Sequence, residues 1–150
     1  MKKSIDQETV LVRLSGIQEE LSELNKLGEE PFESFARGVG FKLAQYHLHR
    51  ALEGVFHIAS HLLARVPGGA KTSTYKEMAI ALGEKGILPK NFAEQKLVKM
   101  AGYRNRLVHF YAQITPQEIY DLIQDDLDDF EVFLSGVKKV LKKSFLFLPR

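Results

Sequence analysis

At 150 residues the chain fits one domain, residues 1–150, long enough to bury a core without covalent staples. It contains no cysteine, which excludes disulfides, thiolate metal sites and cysteine nucleophiles. With 45% hydrophobic and 27% charged residues it has the make-up of a soluble globular domain; its net charge of +2 does not announce nucleic-acid binding by itself, and no run approaches the ~18 apolar residues of a membrane span. The first residues, Met1 to Glu8, lack the apolar stretch of a signal peptide, so a cytoplasmic protein with no membrane attachment is expected.

Taken in order, the chain reads as helices joined by short connections. Between Asp6 and Leu27 the apolar residues Val10, Leu14, Ile17, Leu21 and Leu24 recur at spacings of four and three, with glutamates between them, which predicts an amphipathic helix. Gly28 and Pro31 end it. A long helical stretch follows from Phe32 to Val66, open to interruption near Gly38 and Gly40. Its broad apolar surface, from Phe41 and Leu48 through Val55 and Phe56 to Leu62 and Leu63, predicts a central helix with several neighbours. Pro67 to Ser73 reads as a loop. Thr74 and Glu77 form a capping box for a short helix that stops at Gly86, and Pro89 opens the next segment. Thr115-Pro116-Gln117-Glu118 combines an N-cap, a first-turn proline and a box glutamate. The spacing then predicts one last helix with Ile119, Leu122, Ile123, Leu127, Phe130, Phe133, Leu134, Val137 and Leu141 on its buried side. No segment alternates as a strand does, and there is no repeat or linker. The expected fold is all-α, an antiparallel up-and-down bundle of about five helices.

Charge is unevenly distributed. From Glu84 to Tyr111 six bases (Lys85, Lys90, Lys96, Lys99, Arg104, Arg106) face two acids, a local excess of four. Seven acids, from Glu118 to Glu131, precede Lys138, Lys139, Lys142 and Lys143. This order suits a helix dipole or, alternatively, a docking surface for a basic partner; Asp121, Asp125 and Asp129 offer a weaker option for a divalent cation.

Within the basic segment, Ala93, Leu97, Met100, Leu107, Val108 and Tyr111 fall along one helical stripe with Arg104 in its middle. A buried unpaired charge costs several kcal/mol, so this arginine requires an internal carboxylate or an open cleft. His109 lies five residues on, about 140° around an ideal helix, beside Asn105. The two groups converge only if the arginine reaches round, the helix distorts or a second subunit contributes. On the central helix Tyr46, Arg50, Glu53, His57 and His61 recur at near-helical spacing. Glu53, His57 and His61 are candidate ligands for zinc or iron; alternatively the stripe faces solvent or a subunit boundary, and Glu53 pairs with Arg104 across the bundle. Phosphate loops, paired catalytic carboxylates with a defined partner, and serine elbows are absent.

With no nucleophilic cysteine or serine in view, the chemistry compatible with Arg104 and His109 is phosphoryl transfer on RNA. The ribose 2′-hydroxyl is its own nucleophile, a histidine with a pKa near ~6.5 moves the proton, and a guanidinium holds the phosphate as charge grows. The products are a 2′,3′-cyclic phosphate and a 5′-hydroxyl, with no cofactor or added metal. One histidine does not readily serve as acid and base together, which favours a two-fold dimer. The competing reading of His109 is an ordinary half-buried histidine.

Arg104-Asn105-Arg106-Leu107-Val108-His109-Phe110-Tyr111 resembles the Arg-x4-His-x-Tyr motif of the HepT-like ribonuclease toxins, a branch of the HEPN superfamily. The likeness extends to Leu52-Glu53, to Tyr75-Lys76-Glu77, to Met100-Ala101-Gly102-Tyr103 before the motif and to Ile119-Tyr120 after it; Phe110 stands where relatives often carry an acidic residue. The resemblance implies a homodimer with the motif in a cleft at the subunit interface. It gives Arg104 and His109 the cleavage of an RNA substrate and Asn105 an orienting role. It further implies an MNT-type nucleotidyltransferase antitoxin that transfers AMP to Tyr111. Two alternatives stand beside it: a noncatalytic HEPN module binding nucleotide or protein, and a metal-binding bundle using Glu53, His57 and His61.

Overall fold

The computed structural model describes residues 4–66 and 72–146, all helix and connection with no strand among them. Met1 to Lys3 and most of the expected loop after Val66 lie outside the described residues. Helix α1 (Gln7–Gly28) is capped by Asp6, whose carboxylate accepts from the Thr9 amide at 3.1 Å. Its stripe of Val10, Leu14, Ile17, Leu21 and Leu24 is buried along the length of α3 (Gly40–Arg65). The two helices approach closely at Gly54, where an added Cβ would sit 2.7 Å from Ile17 Cγ1. The expected interruption is real: α2 (Phe32–Arg37) is a separate short helix that inserts Phe35 into the core before Gly38. Helix α3 is the centre of the bundle, buried through Leu48, Leu52, Val55, Phe56, Ile58, Ala59, Leu62 and Leu63.

Thr74 caps α4 (Tyr75–Glu84) by accepting from the Glu77 amide at 3.1 Å, and Glu77 reaches back to the Ser73 amide at 2.9 Å. The chain leaves α4 through Gly86 at φ 71°, a left-handed value that suits glycine. Helix α5 (Lys90–Phe92), a π-helical stretch (Ala93–Leu97) and α6 (Val98–His109) form one continuous rod. Thr115 caps α7 (Pro116–Asp125), and α8 (Asp128–Leu146) closes the bundle.

Three expectations need correction. The last helix is two: Asp126 leaves helical geometry with φ −115° and ψ 0°, and α8 restarts as the Asp129 and Phe130 amides bond back to Asp126 and Leu127. Ile123 of α7 and Phe130, Phe133 and Leu134 of α8 are buried in the same core, and the helices exceed the expected five. Next, the rod does not run through Tyr111. It ends at His109, Phe110 adopts φ −132° and ψ 29°, and Tyr111–Gln113 form a 3₁₀ turn. Finally, the Glu118 side chain does not complete a capping box; it turns to Arg106.

Candidate active site

Arg104 projects from α6 toward α3, where its Nε donates to Glu53 Oε1 at 2.5 Å. Its Nη1 donates to the Asn105 side-chain oxygen at 3.3 Å, and its guanidinium lies 4.7 Å from the centroid of the Tyr75 ring. Tyr75 stacks in turn on buried Phe56, with centroids 4.6 Å apart and planes 12° from parallel. Its hydroxyl donates to Glu53 Oε2 at 3.0 Å. The arginine is thus fixed from two sides, by a carboxylate and by an aromatic stack rooted in the core. Its side chain and that of Glu53 retain 24% and 22% of their exposure, so the pair is half-buried at the surface between α3 and α6 rather than an interior ion pair. The internal carboxylate that the sequence required for Arg104 is therefore Glu53.

Two imidazoles approach the same carboxylate. His49 Nε2 lies 3.4 Å from Glu53 Oε1 and His57 Nε2 3.6 Å from Oε2. Burial by itself would raise the Glu53 carboxyl, but hydrogen bonds from Arg104 and Tyr75 and the arginine charge outweigh it, leaving the carboxyl below its ordinary value. Burial and the adjacent Glu53 carboxylate push the Tyr75 hydroxyl up.

The C-terminal half of the motif is held differently. Arg106 makes a two-pronged contact with Glu118 on α7, at 2.6 and 3.0 Å, and Tyr103 donates to the same carboxylate at 3.2 Å. The Arg106 bond outweighs burial and draws the Glu118 carboxyl down, whereas burial and Glu118 push the Tyr103 hydroxyl up. These contacts pin the end of α6 to the start of α7 and so set the path of the intervening residues. His109, the last helical residue, is exposed, with Phe110 edge-on at 6.4 Å between centroids. No hydrogen bond joins it to Arg104 among the described residues. Tyr111 stands 65% exposed in the 3₁₀ turn. The reading that placed it on the Arg104 stripe is overturned by the end of the helix two residues earlier.

The bases around the motif meet local acids. Lys96, Lys99 and Arg106 line a cleft of about 470 Å³ together with Asp121, Asp125 and Asp129. Burial, the first cause, holds the Asp129 carboxyl above its ordinary value, although Lys96 and Lys99 draw it down. The acidic run and the basic segment therefore answer one another in part, which reduces the field that either projects outward.

The proposed ligand set of Glu53, His57 and His61 does not converge. His61 Nε2 accepts from the Asp6 amide at 3.1 Å, and His57 Nδ1 accepts from Arg13 at 2.9 Å. Among the described residues no three histidine or carboxylate groups are arranged to hold a metal, including the aspartates of α7 and α8. Sequence reasoning passed over Tyr75, Arg13 and His49 as site residues. Tyr75 had a faint signal, an aromatic ring at the first position of a capped helix, whereas Arg13 and His49 sit on charged faces where nothing distinguishes them.

A family model described as ribonuclease HepT-like matches residues 17–137, a span that takes in the Glu53–Arg104 pair and the whole motif. The chain belongs to the ribonuclease HepT-like family. Among characterised relatives it is similar to the tRNA nuclease HepT of Aphanizomenon flos-aquae (strain 2012/KM1/D3), 30% identical over 89 residues that cover 59% of each chain. It is also similar to the mRNA nuclease HepT of Shewanella oneidensis, 27% identical over 92 residues, 61% of this chain and 68% of the relative. The matched region is thus under two thirds of the length of the first of these relatives. In fold the HepT-like chain resembles a tri-AMPylated Shewanella oneidensis HEPN toxin solved in complex with an MNT antitoxin, with a TM-score of 0.75 at 20% identity over 87% of this chain and 96% of the other. It likewise resembles YutE, a cytosolic Bacillus subtilis protein of unknown function, with a TM-score of 0.76 at 17% identity over 97% and 96%. The fold is thus that of the HEPN toxins. Among the described residues no helix is long and apolar enough to cross a membrane.

Proposed function

We propose that this HepT-like chain is a cytoplasmic, metal-independent endoribonuclease toxin that cleaves RNA by attack of the substrate's 2′-hydroxyl. The observation that carries the reading is the fixed, partly exposed guanidinium of Arg104, held by Glu53 and Tyr75 between α3 and α6. It is preorganised to stabilise charge on a phosphate, the contribution most valuable to this reaction. Asn105, bonded to Arg104, orients it or the phosphate. His109, exposed at the end of α6, takes the 2′-hydroxyl proton or protonates the departing 5′-oxygen. Because His109 and Arg104 do not touch within one chain, the reading includes a homodimer in which the two motifs share a groove. Relatives named as tRNA and mRNA nucleases support an RNA substrate.

Control of the toxin is assigned to an MNT-type nucleotidyltransferase that transfers AMP from ATP to the Tyr111 hydroxyl. The AMPylated, MNT-bound HEPN toxin of similar fold supports this, as does the exposure of Tyr111. An adenylate there adds negative charge and bulk beside the motif and opposes RNA binding. The lack of a direct Arg104–His109 contact favours a second reading, a noncatalytic module that binds nucleotide or protein. Subunit mixing tests the first reading. Arg104→Ala and His109→Ala proteins, each inactive on labelled RNA in EDTA, regain activity when mixed and allowed to exchange subunits if the site is composite. RNA left intact by the unsubstituted protein points to the noncatalytic module.

A further inference from the structure

A groove of about 580 Å³ runs between α1 and α3 and is lined in part by Glu53, the partner of Arg104. Its volume is in the range of small-molecule sites. Glu53 links this groove to the motif, for one carboxylate oxygen meets Arg104 and the other lies near His57, so the groove ends at the carboxylate that holds the guanidinium. Along α3 it presents Tyr46, His49 and His57, whose rings are substantially exposed: Tyr46 keeps 54% of its surface, and the side chains of His49 and His57 keep 43% and 45%. The Arg50 guanidinium lies 5.4 Å from the Tyr46 ring centroid and is itself tied to Glu20 at 2.8 Å. Arg13, on the α1 wall, differs from Arg50 and Arg104: its hydrogen bond is to His57 Nδ1, and it meets no carboxylate among the described residues.

Glu53 is answered by Arg104 and Glu20 by Arg50, so most charges here are spent on one another. What remains is exposed ring surface, the Arg13 guanidinium, bonded to a neutral imidazole nitrogen rather than a carboxylate, and the acceptor Glu19. Ring faces offer stacking to any base, and a single arginine suffices for one phosphate. We infer that the α1–α3 groove is a nucleobase subsite: it takes the base of a nucleotide flanking the scissile phosphate of single-stranded RNA, stacked on Tyr46, with Arg13 on the adjoining phosphate. This rests on the ribonuclease reading above and assigns its substrate a single-stranded stretch unstacked over α3.

The test uses a fluorescent single-stranded oligoribonucleotide and full-length protein carrying His109→Ala, so that binding is read without cleavage. Adding Tyr46→Ala weakens binding by about tenfold with an unchanged salt dependence, and Tyr46→Phe restores it. Adding Arg13→Gln weakens binding and lowers the slope of log affinity against log salt by about 0.7, the loss of one phosphate contact. Arg37→Gln, on α2, serves as a control and changes neither. Binding that matches the parent in both Tyr46→Ala and Arg13→Gln overturns the subsite while leaving the nuclease reading intact, provided the unsubstituted protein cleaves RNA. If the unsubstituted protein does not cleave and the His109→Ala parent does not bind, both fall. Thermal melting of each variant separates lost contact from lost fold, since the exposed Tyr46 and Arg13 leave the core untouched.

Discussion

Glu53 and Arg104, which stand 51 positions apart in the chain, meet between α3 and α6 so that one carboxylate fixes the angle of one guanidinium. Glu53→Gln keeps the shape but removes the charge. It is expected to destabilise the fold by about 1–3 kcal/mol, less than a fully buried pair because both side chains retain some solvent. RNA cleavage is expected to fall at least tenfold, with kcat lowered more than KM. Urea unfolding and steady-state kinetics on the same preparations check this; full activity with an altered fold stability limits Glu53 to a structural part.

Tyr75 contributes a ring and a hydroxyl, and the two separate by substitution. Tyr75→Phe loses the hydrogen bond to Glu53 but keeps the stack, with an expected loss of about 1 kcal/mol. Tyr75→Leu also loses the stack on Phe56 and the face presented to Arg104, a further ~1–2 kcal/mol. Activity is expected to follow the ring. A Phe variant as impaired as the Leu variant shows instead that the hydroxyl is what matters.

Much of this arrangement is legible in the sequence, and the reasons are local. Arg104 stands out because it interrupts an apolar stripe, and Glu53 because it is the one carboxylate on α3. Caps at Thr74 and Thr115 announce themselves by side-chain chemistry that acts within one turn. Where geometry departs from a straight helix the signal fails. Nothing in Phe110, Asp126 or Ala93–Leu97 carries the glycine or proline that normally marks an ending or a π-turn; packing across the bundle decides there. For that reason the sequence misplaces Tyr111, whereas for Arg104 it offers Glu53 as a partner but not the Tyr75 ring.

The Arg106–Glu118 contact ties the end of α6 to α7 and thereby holds the turn that carries Tyr111. Glu118→Gln is expected to cost about 1 kcal/mol, since both groups remain partly exposed. Amide hydrogen exchange across residues 110–114 is expected to quicken more than elsewhere. Uniform quickening contradicts a local tether.

Acidification weakens the fold in part through three groups. Burial and the Arg65 charge hold His61 below its ordinary value of 6.5, so the unfolded chain takes up that proton first and stability falls as pH drops below that value toward the folded pKa. Glu53 and Glu118 also lie below their ordinary value of 4.5; their contributions are present above it and are lost as pH falls through the folded values. Stability is therefore expected to decline in two stages on the acid side, the first abolished in His61→Gln. Chemical unfolding across pH 3 to 8 reads this directly, and a first stage that persists in His61→Gln assigns it to another group.

Tyr111 is expected to be the acceptor of AMP when the protein is incubated with an MNT-type nucleotidyltransferase and ATP. Intact-mass spectrometry with peptide mapping locates the added adenylates, and Tyr111→Phe is expected to remain a nuclease that the enzyme no longer silences. Continued silencing of Tyr111→Phe by the same enzyme places the modification elsewhere.

The most direct measurement is the end chemistry of RNA cut in EDTA by the unsubstituted protein and by His109→Ala. Cleavage by Arg104 and His109 predicts 2′,3′-cyclic phosphate and 5′-hydroxyl ends from the former and intact RNA from the latter. Ends bearing 3′-hydroxyl and 5′-phosphate, or cutting that survives the loss of His109, contradict it.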